Sequence, residues 1–195
     1  MSGYFTKLVT EVVPQEKIEE SMNWYRKAAF ESEKPDTDKV IRGAKKYFTN
    51  RERMGHVYTF RYQPKYKDVL PFYDRYPVII MVETKPDGFL GLNLHYLPFV
   101  FRATLMDQLT NYKTGEDDLA RFRVNYSILS NVSKLRYYKP CLKYYLNSQI
   151  RTRMVHVEVD DWESALFLPL QQFKKKPEST VYKDSLRQIR KARTL

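Results

Sequence analysis

A chain of 195 residues with 34 Lys and Arg against 23 Asp and Glu carries a formal charge of +11 and has the length of one compact domain with extensions. Its 43% hydrophobic residues are enough for a core, which excludes wholesale disorder. Six Gly leave little material for a glycine-rich phosphate cradle, and the single cysteine, Cys141, excludes an intramolecular disulfide.

The basic excess favours a polyanionic partner, either nucleic acid or an acidic protein surface. The 16 Tyr and 11 Phe suit both cores and protein interfaces, because tyrosine buries its ring while its hydroxyl seeks a partner. The longest apolar runs, Val78–Val82 and Ala165–Leu170, are strand length and far below the roughly 20 residues of a spanning helix, so no membrane partner is expected. Met1-Ser2-Gly3-Tyr4-Phe5 lacks the charged-then-apolar order of a signal peptide, which points to an intracellular product.

In chain order, Val12–Lys34 reads as a helix, with Pro14 in the first turn and Ile18, Met22, Tyr25 and Ala29 at helical spacing. Asp36 or Asp38 caps a second helix running to about Thr49, with Val40, Ala44 and Phe48 on one face. Gly55 ends that block and the period changes to two. His56–Tyr62 alternates as a strand, and Gln63–Tyr76, with Pro64 and Pro71, reads as a loop. Val78–Thr84 and Phe89–Tyr96 form a hairpin around Lys85-Pro86-Asp87-Gly88. Phe101, Leu105 and Leu109 mark a helix, Leu119, Phe122 and Tyr126 mark another over Glu116–Leu129, and Pro140–Asn147 suggests a short third. Arg153–Val159 and Ser164–Leu170 read as strands on either side of the turn at Asp160-Asp161.

These elements predict an α+β fold: a small, SH3-like antiparallel β-barrel. Residues 1–54 form an N-terminal helical segment, and 55–173 a β-barrel core with a helical insertion at about 99–150. Residues 174–195 are a basic C-terminal extension. That extension holds eight Lys or Arg against Glu178 and Asp184, and Val181, Leu186 and Ile189 give it the thin stripe of a docked amphipathic helix.

A search for chemistry finds no catalytic or metal site. His56, His95 and His156 share no metal-ligand spacing with one another, with Cys141 or with a carboxylate pair. Cys141 is expected to be a small buried residue rather than a nucleophile. Asp160-Asp161 and Glu116-Asp117-Asp118 are local turn and helix-start features, and Glu83 with Lys85 is the nearest approach to a nuclease pair. No enzymatic activity and no cofactor are expected.

Binding has better support. Arg42, Lys45, Lys46, Arg51 and Arg53 form one basic group. Lys174, Lys175, Lys176, Arg187, Arg190, Lys191 and Arg193 form another, suited to phosphates or to an acidic partner. Tyr137, Tyr138, Tyr144 and Tyr145, interleaved with Arg136, Lys139 and Lys143, suit a protein interface better than base stacking.

Three segments carry a resemblance: Tyr62-Gln63-Pro64-Lys65-Tyr66, Leu70-Pro71-Phe72-Tyr73-Asp74-Arg75-Tyr76-Pro77, and Gly88-Phe89-Leu90-Gly91-Leu92-Asn93-Leu94-His95-Tyr96-Leu97. This stretch, within about Tyr58–Leu109, resembles small virion proteins of contractile-tailed, T-even-like bacteriophages, of the DNA end protector type. The resemblance implies a place in the virion after synthesis in the host cytoplasm, and no catalytic residues come with it. The leading expectation is a structural component of the tail, neck or baseplate whose partners are other phage structural proteins. The alternative is a DNA-binding protein that coats or protects genome ends, with double-stranded DNA as partner. On residues alone, Leu70–Tyr73 is an extended aromatic corner, and Asp74 and Arg75 are free to pair with each other or with neighbours.

Overall fold

The structure is a computed structural model that describes residues 3–12, 22–111, 123–124, 126–135 and 138–191. Three helices open the chain: α1 (Tyr4–Val12), α2 (Met22–Glu31) and α3 (Thr37–Gly43). Helix α1 ends at Val12, where the first helix expected from periodicity begins; residues 13–21 of that expected helix lie outside the described residues, and α2 covers Met22–Glu31. Asp36 caps α3 as anticipated, its carboxylate accepting the Lys39 amide at 3.2 Å. The helix stops at Gly43, however, and a 3-10 turn leads into strand β1 (Phe48–Thr49).

Strands β2 (Val57–Thr59), β3 (Tyr73–Asp74), β4 (Val78–Lys85) and β5 (Gly88–Asn93) follow. The hairpin β4–β5 turns at Pro86-Asp87, as the sequence predicts. Helix α4 (Phe99–Leu109) and the short pair β6 (Thr110–Asn111) and β7 (Arg123–Val124) come next, then α5 (Tyr126–Asn131). Residues 116–122 and 125 of the helix expected over Glu116–Leu129 lie outside the described residues; within it Arg123–Val124 is strand β7, not helix, and helical structure is described only from Tyr126. The last elements are β8 (Leu142–Leu146), β9 (Met154–Val157), α6 (Trp162–Phe167), β10 (Phe173–Lys174) and α7 (Glu178–Lys191).

Two assignments are corrected. Pro140–Asn147 is not a helix: Leu142–Leu146 forms β8 and pairs antiparallel with β5. Gly88 permits this approach, because a Cβ there would sit 2.1 Å from the Tyr145 carbonyl oxygen. Ser164–Leu170 is not a strand: α6 covers Trp162–Phe167, and its side chains are buried all round. A continuous apolar run fits either a buried strand or a buried helix, and periodicity cannot separate them.

Six strands make one antiparallel sheet in the order β1-β9-β2-β4-β5-β8. The fold is therefore α+β, but the SH3-like barrel is not present: the described residues form no closed barrel. The edge strand β1 contributes only two residues, too few for a closing ladder. Alternation sorts the side chains by face. Val57, Val78, Ile80, Leu92, Val155 and Val157 join the main core with Phe5, Val9, Ala29, Val40 and Ile41 from the helices. The opposite face carries Tyr58, Phe60, Tyr62, Ile79, Met81, Phe89, Tyr145 and Met154 as a second cluster. Its rings meet edge-to-face, with Phe60 and Tyr145 centroids 5.5 Å apart at 89°, the geometry favoured by the aromatic quadrupole.

A buried ion pair and a cross-chain cap fasten the helices. The Arg26 guanidinium, 1% exposed, donates to both oxygens of Glu163 at 2.6 and 2.8 Å and to Asp107 at 2.7 Å, tying α2 to α6 and α4. Asp161 caps α1 across the fold, accepting the amides of Phe5 and Thr6 at 3.0 and 2.9 Å. The basic C-terminal segment is a docked helix as expected: α7 buries Val181 and Ile189 in the main core.

Candidate nucleic-acid interface

The first cationic site lies where the chain enters β2. Gly55, at φ 78°, turns the chain behind Arg51 and Arg53. The Arg51 amide donates to Thr49 Oγ1 at 3.0 Å, and the Arg53 amide donates to the Tyr58 hydroxyl at 2.9 Å. These bonds hold the segment against the sheet and leave a cavity of about 200 Å³ lined by Thr49, Arg51, Arg53, His56, Tyr58 and His156.

His56 Nδ1 and His156 Nε2 are 2.9 Å apart, so one nitrogen of the pair must carry a proton and the other a lone pair. Burial, then Arg53, lowers the His56 pKa; burial, then His56 and Arg53, lowers that of His156. The pair is neutral at pH 7. Among the described residues no carboxylate lines the cavity, although Glu52 is near enough to act on Tyr58; the lining itself carries two arginines and suits an anion.

The second cationic site is assembled from three distant segments. The Tyr62 amide donates to the Arg75 carbonyl at 2.8 Å, and the Arg75 amide to the Gln172 carbonyl at 3.0 Å. Strand β10 then sets Lys174 opposite Tyr73. The resulting cavity of about 230 Å³ is lined by Arg61, Tyr62, Gln63, Tyr73, Arg75 and Lys174. Arg61 lies 3.9 Å from Asp38, a loose and solvent-exposed contact that leaves its charge largely unspent.

Tyr62 and Tyr73 are also walls of a third cavity of about 260 Å³, where Phe72, Tyr96, Tyr144 and Lys143 contribute. The Lys143 ammonium lies 4.1 Å from the Tyr96 ring centroid. At the base of this cavity Asp74 is 3% exposed and fully bonded. One carboxylate oxygen accepts the amides of Tyr76 and Gln172 at 3.1 and 3.0 Å. The other accepts Asn93 Nδ2 at 3.1 Å and lies 2.8 Å from His95 Nδ1. Burial alone would raise the Asp74 pKa, but His95 and the other donors outweigh it and hold the carboxyl below its ordinary value. Burial lowers that of His95 despite Asp74, so a neutral imidazole donates to an ionised carboxylate. Asp74 pairs with His95 and Arg75 bonds Gln172, so the two adjacent residues do not pair with each other.

A family model for the Phage T4 terminal DNA protecting protein matches residues 12–188. The chain belongs to this family. No curated protein sequence and no solved structure matches the chain. Membership in the terminal DNA protecting protein family bears out the phage resemblance carried by the segments between Tyr58 and Leu109, and extends it over nearly the whole chain.

Within this member of the terminal DNA protecting protein family, the residues expected to bind fall into three sets. Arg51 and Arg53 line the first cavity, while Arg42, Lys45 and Lys46 are exposed on the α3 side of β1. Lys174 lines the second cavity and Lys176 is exposed. Lys175 instead braces a loop: from a left-handed backbone at φ 73° its ammonium donates to the carbonyls of Asp68 and Leu70, both at 2.7 Å. On α7, Arg187 pairs with Asp184, Arg190 and Lys191 are exposed, and Arg193 lies outside the described residues.

The tyrosine group does not form one surface. Tyr138 and Tyr145 are 1% and 4% exposed and face cores, Tyr144 is 42% exposed, and Tyr137 lies outside the described residues. On β8 alternate residues face opposite sides of the sheet, so adjacent tyrosines cannot share a partner. Sequence reasoning missed Arg61, Arg75 and the His56–His156 pair as contributors. Their signal was spatial, since residues near 61, 75 and 174 converge only through the fold. Cys141 is buried, and burial pushes its thiol up to about 12, in line with a packing role.

Proposed function

We propose that this protein binds the ends of double-stranded phage DNA and shields them, acting by contact and without a chemical step. The observation that carries the reading is the pair of cavities whose linings hold Arg and Lys and no carboxylate, on a chain of the terminal DNA protecting protein family. Clustered Arg and Lys neutralise phosphates and release counterions, giving affinity that falls steeply with salt. The sites cradle single phosphates between fixed side chains, and a chain end is where a phosphate is reached from several sides.

A place in the virion is the second part of the reading, supported by the phage family and by an exposed apolar loop carrying Tyr66, Val69 and Leu70. Assembly into a tail, neck or baseplate through the tyrosine group has weaker support, because Tyr138 and Tyr145 are buried. No helix among the described residues is long and apolar enough to cross a membrane.

The test is binding of one duplex in linear and circular form across a salt series. The reading expects tighter binding to the linear form and a log–log salt slope of about −0.9 for each phosphate neutralised. Equal affinity for both forms would remove end recognition, and a flat salt response would remove phosphate contact.

A further inference from the structure

The second and third cavities share Tyr62 and Tyr73 as a common wall, yet their chemistry differs. One side presents Arg61, Arg75 and Lys174. The other presents ring faces and apolar surface from Phe72, Tyr96, Tyr144 and Leu70, with Lys143 held over Tyr96. A ligand that spans both must carry an anion on one side and a flat, stackable group on the other, joined by a short linker. A single nucleotide has that form.

We propose that the two adjoining cavities, on either side of Tyr62 and Tyr73, together seat one unpaired nucleotide. The base enters between Phe72 and Tyr144, above the buried Tyr96 with its Lys143 cover, and its phosphate lies against Arg61, Arg75 and Lys174. The proposal rests on the end-binding reading in placing that nucleotide at a frayed or overhanging DNA terminus, where a base leaves its stack at little cost.

Local structure supports it. The cavity floor is fixed by the buried Asp74–His95–Asn93 network, so the aromatic walls are held before any ligand arrives. The loop carrying Leu70 is pinned by Lys175, which holds the Asp68 and Leu70 carbonyls from a strained backbone position. Asp74, the carboxylate on the aromatic side, is already engaged by four donors and does not face the anion half as a free charge. Tyr144, anchored through its hydroxyl to Asp87, keeps an exposed ring at the entrance. Base stacking on such rings is tolerant of sequence, which suits a protein that must accept whatever base ends the molecule.

The experiment uses the full chain and two kinds of probe. Free deoxynucleoside monophosphate is titrated against deoxyribose 5-phosphate, which keeps the anion and lacks the base. Duplexes with a one-nucleotide overhang are compared with duplexes whose overhang is abasic. The expected result is at least about tenfold tighter binding when the base is present, for both probes. Lys174→Ala should weaken all four ligands, whereas Tyr144→Ala should remove only the preference for the base. Equal binding with and without the base would overturn the proposal while leaving end binding intact. Loss of end preference in the linear-versus-circular assay, with the free-nucleotide preference retained, would instead keep the seat and remove its placement at DNA ends. Binding of the free nucleotide that survives both substitutions would place it elsewhere and overturn the proposal.

Discussion

Asp74 Oδ2 lies 2.8 Å from His95 Nδ1 with both side chains buried, joining β3 to the turn that follows β5, while Asp74 Oδ1 accepts the Gln172 amide in the segment entering β10. Removing either partner leaves an unmatched buried group. Asp74→Ala and His95→Ala should each cost on the order of 3 kcal/mol. Chemical denaturation would show the loss as a lower midpoint with an unchanged slope.

The same pair makes stability fall in acid. A histidine whose folded pKa lies below the ordinary 6.5 takes up a proton more readily when unfolded, so His95 erodes stability as pH falls below that value. Asp74, held below the ordinary 3.8, contributes stability above that value and loses it as pH falls through its lowered folded pKa. Denaturation midpoints measured from neutral pH downward should decline in these two stages, and His95→Gln should flatten the first.

The His56–His156 pair should make DNA binding pH-dependent in the opposite sense. Burial and then Arg53 act on both rings, and His56 acts on His156, so protonation is disfavoured until an anion enters. A bound phosphate offsets that repulsion and raises both pKa values. Affinity should therefore rise as pH is lowered from about 7.5 to about 5.5. His156→Gln should reduce the rise and His56→Gln with His156→Gln should abolish it, without lowering affinity at pH 7.5, which equilibrium binding at fixed salt would read.

Arg51 and Arg53 should contribute through phosphate contact alone. The double variant Arg51→Ala with Arg53→Ala should weaken binding to any duplex sequence and reduce the salt slope by about 2. An unchanged slope would place the first cavity outside the DNA interface.

Truncation after Phe173 should unfold the protein and not merely remove charge. It deletes Val181 and Ile189 from the core and the Tyr182 hydroxyl from the buried Arg102 guanidinium, 3.4 Å away. Thermal melting should show a broad, weak transition or none, so the role of the basic helix is read from Arg187→Ala and Arg190→Ala, whose side chains lie outside the core.

The hairpin β4–β5 was legible because strand-length apolar segments flank Lys85-Pro86-Asp87-Gly88, and the turn signal agrees with the tertiary outcome. Helix α7 was legible because Val181 and Ile189 lie two turns apart in an otherwise charged segment, although the row it buries is Val181, Ser185 and Ile189 and not Leu186. Leu142–Leu146 was not: Lys143 and Tyr144 interrupt the apolar pattern, and its strand character comes from pairing with β5. Ala165–Leu170 was misread because burial on every side removes the periodicity that separates helix from strand. Of the candidate site, the clustered cations Arg51, Arg53 and Lys174 could be seen as runs of charge. Arg61, Arg75 and the tyrosine walls could not, because they lie in unremarkable sequence and meet only where Tyr62, Arg75 and Gln172 join through backbone bonds.

Shielding of DNA ends is tested most directly by digesting a linear duplex with a double-strand-specific exonuclease in the presence of this protein, beside a double-strand endonuclease acting on the same duplex made circular. The account predicts that exonuclease digestion slows in proportion to occupied ends, that cleavage of the circle is unaffected, and that Arg51→Ala with Arg53→Ala and Lys174→Ala weakens the protection. Equal slowing of both enzymes would mean coating along the duplex, and undiminished exonuclease digestion at saturating protein would contradict end protection outright.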